Sequence, residues 1–172
     1  MQNKNRKLLA LILTLAMFIC SVNITFAASN DADDISIIYT QDVHCGYLEY
    51  DKVAALAKQA DLLIDGGDAI EGDLIGTLSK GKYVVDIMNY MGYDVSALGN
   101  HEFDFSVPYL QSLNEYADFD YICCNCIDLK TGELVFDPYK IFDVKGKKIA
   151  IISVTTPETL SKSNPIYFKN CR

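Results

Sequence analysis

The chain has 172 residues, half of them hydrophobic and 22% charged, with a mass of 19.2 kDa and a mean hydropathy of +0.10, a balance that excludes disordered and fibrous classes. Its length suits one domain at roughly 100 to 200 residues each. With 15 Lys and Arg against 23 Asp and Glu the formal charge is −8, which repels a phosphate backbone and argues against duplex nucleic acid as a partner.

The first segment reads as a targeting signal. Lys4, Arg6 and Lys7 make a basic start, Leu8 to Cys20 an apolar run, and Thr25-Phe26-Ala27 a small-x-small cleavage site, the layout of a secretory signal peptide over residues 1–27. The apolar run falls short of the roughly 20 residues a bilayer core needs, so no stable membrane anchor is expected. Bulky Phe18-Ile19 before Cys20 speaks against lipid attachment there. Cleavage after Ala27 removes three cations and no anion, leaving 12 basic against 23 acidic residues, a net −11. The expected product is exported, whether secreted, periplasmic or bound at the cell surface, and comprises residues 28–172.

Strands and helices then alternate. Ile35 to Thr40 is β-branched and aromatic, and Tyr50 to Ala60 carries Val53, Leu56, Ala57 and Ala60 at helical spacing. Leu62-Leu63-Ile64 reads as a short buried strand, Tyr83 to Met91 as a helix with Val84, Ile87, Met88 and Met91 on one face, and Asp94 to Leu98 as another strand. Pro108 suits the first turn of a helix over Val107 to Tyr116, and Phe119 to Cys123 follows as a strand. Val135 to Val144 and Lys148 to Val154 flank Lys145-Gly146-Lys147, a hairpin signal, before Thr156-Pro157-Glu158 opens a polar tail. The class is α/β, a βαβ series.

Five cysteines remain after cleavage, an odd number that does not look like a disulfide framework. Cys123, Cys124 and Cys126 are too closely spaced to bridge one another easily. They read as packed thiols in preference to a zinc knuckle, since no second C-x-x-C or paired His accompanies them.

The chemistry-bearing residues fall where strands end, the place where ligands gather in open α/β sheets. Asp42 and His44 follow the first strand, Gly66-Gly67-Asp68 the second, and Gly99-Asn100-His101-Glu102 the third. An Asp and a His two apart on an extended exit share one side and can hold one cation. Asp68 has two oxygens and can bridge two cations, while Asn100 can offer a carbonyl oxygen to the second. Such mixed nitrogen and oxygen ligation suits manganese, zinc or iron. His101 and Asp104 lie three apart, so the carboxylate can orient the imidazole as an acid or anion stabiliser. The two His residues of the chain are both consumed by these motifs. No G-x-G-x-x-G follows the first strand, against a dinucleotide-binding fold, and Asp65 to Asp73 lacks the spacing of a calcium loop.

The strings IIYTQDVHCGY, LLIDGGDAIEGD and VSALGNHEFDF resemble the first three metal-site blocks of the calcineurin-like metallophosphoesterases, in particular the secreted branch of 5′-nucleotidases and 2′,3′-cyclic-nucleotide 2′-phosphodiesterases. The signal peptide and the segment PYKIFDVKGKKIAIISVTTPET resemble that branch too. The likeness runs from about Ile35 to Glu158 and implies the N-terminal part of a four-layer αββα sandwich. It implies two divalent metal ions, with Asp42 and His44 on the first, Asp68 bridging and Asn100 on the second. By the same resemblance His101 with Asp104 stabilises the transition state or protonates the leaving alkoxide. The implied activity is hydrolysis of a nucleotide or other small phosphate ester by metal-activated water, without a covalent enzyme intermediate.

One departure tempers that expectation. Members of the branch carry a further lone His and a Gly-His-x-His block, for which this chain has no third His, and a C-terminal substrate domain that does not appear in it. The alternative expectation is a catalytically dead fragment or a secreted binding module. Cys45, beside His44, stands where relatives carry a small residue, which leaves open whether its thiol binds metal or is oxidised.

Overall fold

The computed structural model describes residues 33–46, 50–168 and 170–171; the signal-peptide reading of residues 1–27 lies outside the described residues. The centre of the fold is a parallel sheet formed by β1 (Ile37–Thr40), β2 (Leu62–Asp65), β3 (Val95–Ala97) and β4 (Asp120–Ile122), in that spatial order. Ile37 pairs with Leu62, Ile64 with Val95 and Val95 with Asp120. Strands that advance one place at a time through right-handed crossovers leave their helices on a single face.

Those helices are α1 (Tyr50–Ala57), α2 (Leu74–Ser79), α3 (Lys82–Met91) and α4 (Val107–Tyr116). Local chemistry sets their ends. Gly92 closes α3 at φ 78° with its N–H on the carbonyls of Met88 and Asn89, a conformation that suits glycine. Ser106 caps α4 by accepting the N–H of Tyr109, and Pro108 occupies its first turn. The core lies between helices and sheet, with Val84, Val85 and Met88 of α3 and Leu110 and Leu113 of α4 packed among Leu63, Leu98, Phe119 and Tyr121. On β1 the side chains alternate, so Ile38 packs on the core while Ile37 and Tyr39 face away and are exposed.

The hairpin is present as β5 (Tyr139–Val144) and β6 (Lys147–Ile152), paired antiparallel. Lys145 and Gly146 both have positive φ, 51° and 74°, as a two-residue turn of the primed type demands. The expected start at Val135 is corrected to Tyr139. Residues 134–135 instead turn back on the segment that follows β4, with Leu134 bridging Ile127 and the Val135 N–H donating to the Cys126 carbonyl at 2.9 Å. After β6, Asn125 grips Thr155 twice, at 2.8 and 3.0 Å.

One helix has no counterpart in the sequence reading and one expectation is corrected. α2 is short and carries exposed Leu74 and Leu78, so it lacks an apolar face to mark it. The polar tail is instead a docked segment, α5 (Thr159–Lys162) and a 3₁₀ turn at Pro165–Phe168. The Phe168 ring rests 4.8 Å from that of Phe103, and Ser163 donates through its hydroxyl to the Asn100 carbonyl.

Candidate metal centre

Three loops converge where β1, β2 and β3 end. The loop after β1 continues alongside the loop after β2, with Asp42 N–H on the Gly67 carbonyl (3.0 Å), His44 N–H on that of Asp68 (2.9 Å) and Cys45 N–H on that of Ala69 (2.9 Å). Sheet pairing therefore extends past the strands and carries Asp42, His44 and Asp68 together. One ligand atom from each lies within 4.8 Å of the other two, the one such group of His, Cys, Asp and Glu among the described residues.

The backbone is held in an unusual state to achieve this. Asp42, His44, Cys45 and Asp68 all have positive φ, between 48° and 61°, a region that costs a residue with a side chain of order 1 to 3 kcal/mol. Two glycines make room. A Cβ on Gly99 would lie 2.3 Å from Asp68 Oδ1, and one on Gly72 2.6 Å from His44 Cβ.

His44 is oriented for ligation. Its Nδ1 lies 3.0 Å from the Glu71 carbonyl, an acceptor that assigns the proton to Nδ1 and leaves the lone pair on Nε2, which sits 3.7 Å from Asp42 Oδ1. On the third loop, His101 Nδ1 lies 2.6 Å from Asp104 Oδ2, the pairing anticipated from their spacing. The rings of His44 and His101 meet edge-to-face at 4.9 Å. Asn100, half-buried, begins the 3₁₀ turn His101–Phe103, and the His101 N–H after it donates to Asp68 Oδ1 at 2.8 Å. Asp42, His44, Asp68 and the pair His101 and Asp104 thus share one cluster of loops, and Asn100 sits in its backbone.

Two carboxylates beneath this cluster escaped the sequence reading. Asp65, at the end of β2, accepts the Gly67 N–H (2.9 Å) and the hydroxyls of Thr40 and Ser96 (2.9 Å each); burial pushes its carboxyl up to about 6. Glu102 is 1% exposed and accepts the backbone N–H groups of Asp68 (2.8 Å), Ala69 (2.9 Å) and Gly99 (2.8 Å). Burial, aided by the charge of Asp65, pushes Glu102 up to about 7.

Cys45 lies beside Gly76 of α2. Its sulfur is buried, takes backbone N–H bonds from Asp73 and Gly76, and has its thiol pushed up by burial, so it packs against the start of α2 outside the ligand group. Cys123 and Cys126 are buried free thiols, and burial pushes Cys126 up to about 12. Both pack within the buried core cluster, as expected of packed thiols.

Fold and site together define an α/β protein with a candidate divalent-metal site of carboxylate and imidazole ligands at the carboxyl ends of its strands. The family described as calcineurin-like phosphoesterase matches residues 35–170, and the chain belongs to that family, whose members use divalent metals. It is 34% identical to Protein UshA of Yersinia enterocolitica over 152 residues, 78% of this chain and 28% of that protein. It is 42% identical to the 5′-nucleotidase of Vibrio cholerae over 106 residues, 62% of this chain and 19% of the relative. The NAD nucleotidase of Haemophilus influenzae superposes with a TM-score of 0.68 at 30% identity, over 80% of this chain and 29% of that one. The chain therefore spans less than a third of the length of these relatives.

Proposed function

We propose that the chain carries the N-terminal metal-binding part of an exported dinuclear-metal phosphohydrolase acting on nucleotides, of the 5′-nucleotidase or 2′,3′-cyclic phosphodiesterase type. The observation that carries this is the convergence of Asp42, His44 and Asp68 within 4.8 Å beside the His101 and Asp104 pair at 2.6 Å. The family and the nucleotidase names of the relatives support the substrate class. Export rests on the basic and apolar start of the sequence; among the described residues no helix is long and apolar enough to cross a membrane.

The donor set fits a divalent ion. Two carboxylates and a neutral imidazole nitrogen are hard to borderline ligands suited to manganese, zinc or iron, and His44 already has its other nitrogen committed to a carbonyl. Asp42, His44 and Asp68 would hold one ion, with Asp68 shared and Asn100 serving a second. Bound divalent ions supply charge neutralisation for a phosphoryl group and a more acidic water. The residues do the rest. Asp104 holds the His101 imidazole through Nδ1, leaving Nε2 as the ring atom that stabilises phosphoryl charge or delivers a proton to the leaving oxygen. The second reading is a catalytically dead fragment or a secreted binding module that uses the same cluster.

Phosphate release from 5′-AMP, and opening of 2′,3′-cyclic AMP, in the presence of Mn²⁺ test the two. Hydrolysis that falls to background in Asp68→Asn and by about 10²- to 10⁴-fold in His101→Gln, the range of a lost general acid, supports the hydrolase. Mn²⁺ binding that depends on Asp68 without any turnover supports the module.

A further inference from the structure

Glu102 is a buried ionisable group that no step above uses, and its bonds lead to the proposed ligands themselves. Oε2 takes the N–H of Asp68 and the N–H of Gly99, and Oε1 that of Ala69. One carboxylate therefore ties the loop after β2 to the loop after β3. The grip is reciprocal, because Asp68 in turn accepts the N–H of His101, the neighbour of Glu102, through Oδ1. Asp68 sits at φ 58°, a region few non-glycine residues occupy, and the Glu102 carboxylate is bonded to its N–H. A buried anion is costly compared with an apolar residue of equal volume, and here its three backbone donors all belong to a proposed ligand or lie next to one.

We propose that Glu102 is a positioning residue for metal binding, clamping Asp68 at a set distance from Asn100 and fixing which of its oxygens is free to ligate. This rests on the metal-site reading above. Glu102→Gln breaks the clamp chemically with almost no change of shape. A glutamine offers one acceptor oxygen and turns its NH₂ toward at least one of the three backbone N–H groups, where two donors oppose.

The test uses the full chain and Mn²⁺ followed by calorimetry, with amide hydrogen exchange of the metal-free protein as a second readout. Glu102→Gln is expected to weaken Mn²⁺ binding 10- to 100-fold, the range seen when a partner of a ligand is removed, and to speed exchange at the amides of Asp68 and Gly99 at least tenfold. Glu102→Asp, which keeps the charge but shortens the reach, serves if the glutamine variant does not fold, with the same shifts expected. Val85→Ala, a core truncation in α3 with the side chain fully buried, is the control for lost stability alone and leaves the Mn²⁺ affinity within twofold. If the Glu102 variants bind Mn²⁺ as the parent does while Asp68→Asn does not, the clamp is refuted and the metal site stands. If the parent binds no Mn²⁺, or binds it equally well as Asp68→Asn, both ideas fall together.

Discussion

The ends of the parallel strands and the β5–β6 hairpin are held by opposite means. At the strand ends, loops with positive φ are fixed by buried carboxylates, Asp65 and Glu102, whose oxygens collect backbone and hydroxyl donors from three directions. The hairpin relies on its own ladder, and Tyr139, Ile141 and Ile152 on it are exposed. A groove of about 350 Å³ lined by Tyr39, Ile64, Val95 and Ile152 lies between the hairpin and the helix-free face of the sheet. Positive-φ backbone is thus concentrated around the proposed ligands Asp42, His44 and Asp68, and apolar surface is left on the hairpin.

The sharpest way to break the comparison is to loosen the strand ends from below. Phe103, the last residue of the 3₁₀ turn that carries His101 and Glu102, is fully buried and packs its ring against Phe168 of the docked C-terminal segment. Phe103→Ala is expected to destabilise by about 3 to 5 kcal/mol, the cost of an emptied aromatic site, measured by urea denaturation. A loss below about 1 kcal/mol would show that the strand ends are no better packed than the hairpin.

That turn also shows what was legible in advance. The helix at Val107–Tyr116 was readable to the residue, because Pro108 marks its start and apolar positions recur at helical spacing. Asp42, His44, Asp68 and the His101 and Asp104 pair were readable because strand ends are where side chains of that chemistry have no structural reason to collect. Glu102 was not, since its partners are backbone amides, two of them more than 30 residues away, and main-chain donors leave no mark in a sequence. The docking of Phe168 was hidden for a related reason. A short polar stretch with two aromatics near its end reads as a tail until the Phe103 surface that receives it is known.

A medium effect comes from Asp65. Its folded-state value near 6 lies above that of an unfolded aspartate near 4, so its contribution is fully present below about pH 4 and is lost as the pH rises through about 6. The difference in unfolding free energy between the parent and Asp65→Asn is expected to move in favour of the variant by on the order of 2 to 3 kcal/mol between pH 4 and 7. The asparagine oxygen still accepts the Gly67 N–H, and the Thr40 hydroxyl can turn to receive the new NH₂ and donate to the Tyr93 hydroxyl, already 2.9 Å away. A pH-independent difference would mean that the strand ends tolerate the buried charge, and the contrast with the hairpin would lose its electrostatic half.

The smallest effect is predicted on the hairpin. Ile152 is 66% exposed and faces Tyr139 across the ladder. Ile152→Thr keeps a β-branched residue at a strand position and removes little buried area, so the stability of the isolated chain is expected to change by no more than about 0.5 kcal/mol, read by thermal unfolding at low protein concentration. The same substitution made at high concentration sharpens the comparison. If the parent gains stability with concentration and Ile152→Thr does not, the hairpin face is buried in solution by another copy of the chain, and its exposure belongs to the single copy only. If neither depends on concentration, the apolar face is tolerated open, and the hairpin is held by its ladder and turn while the strand ends are held by buried charge.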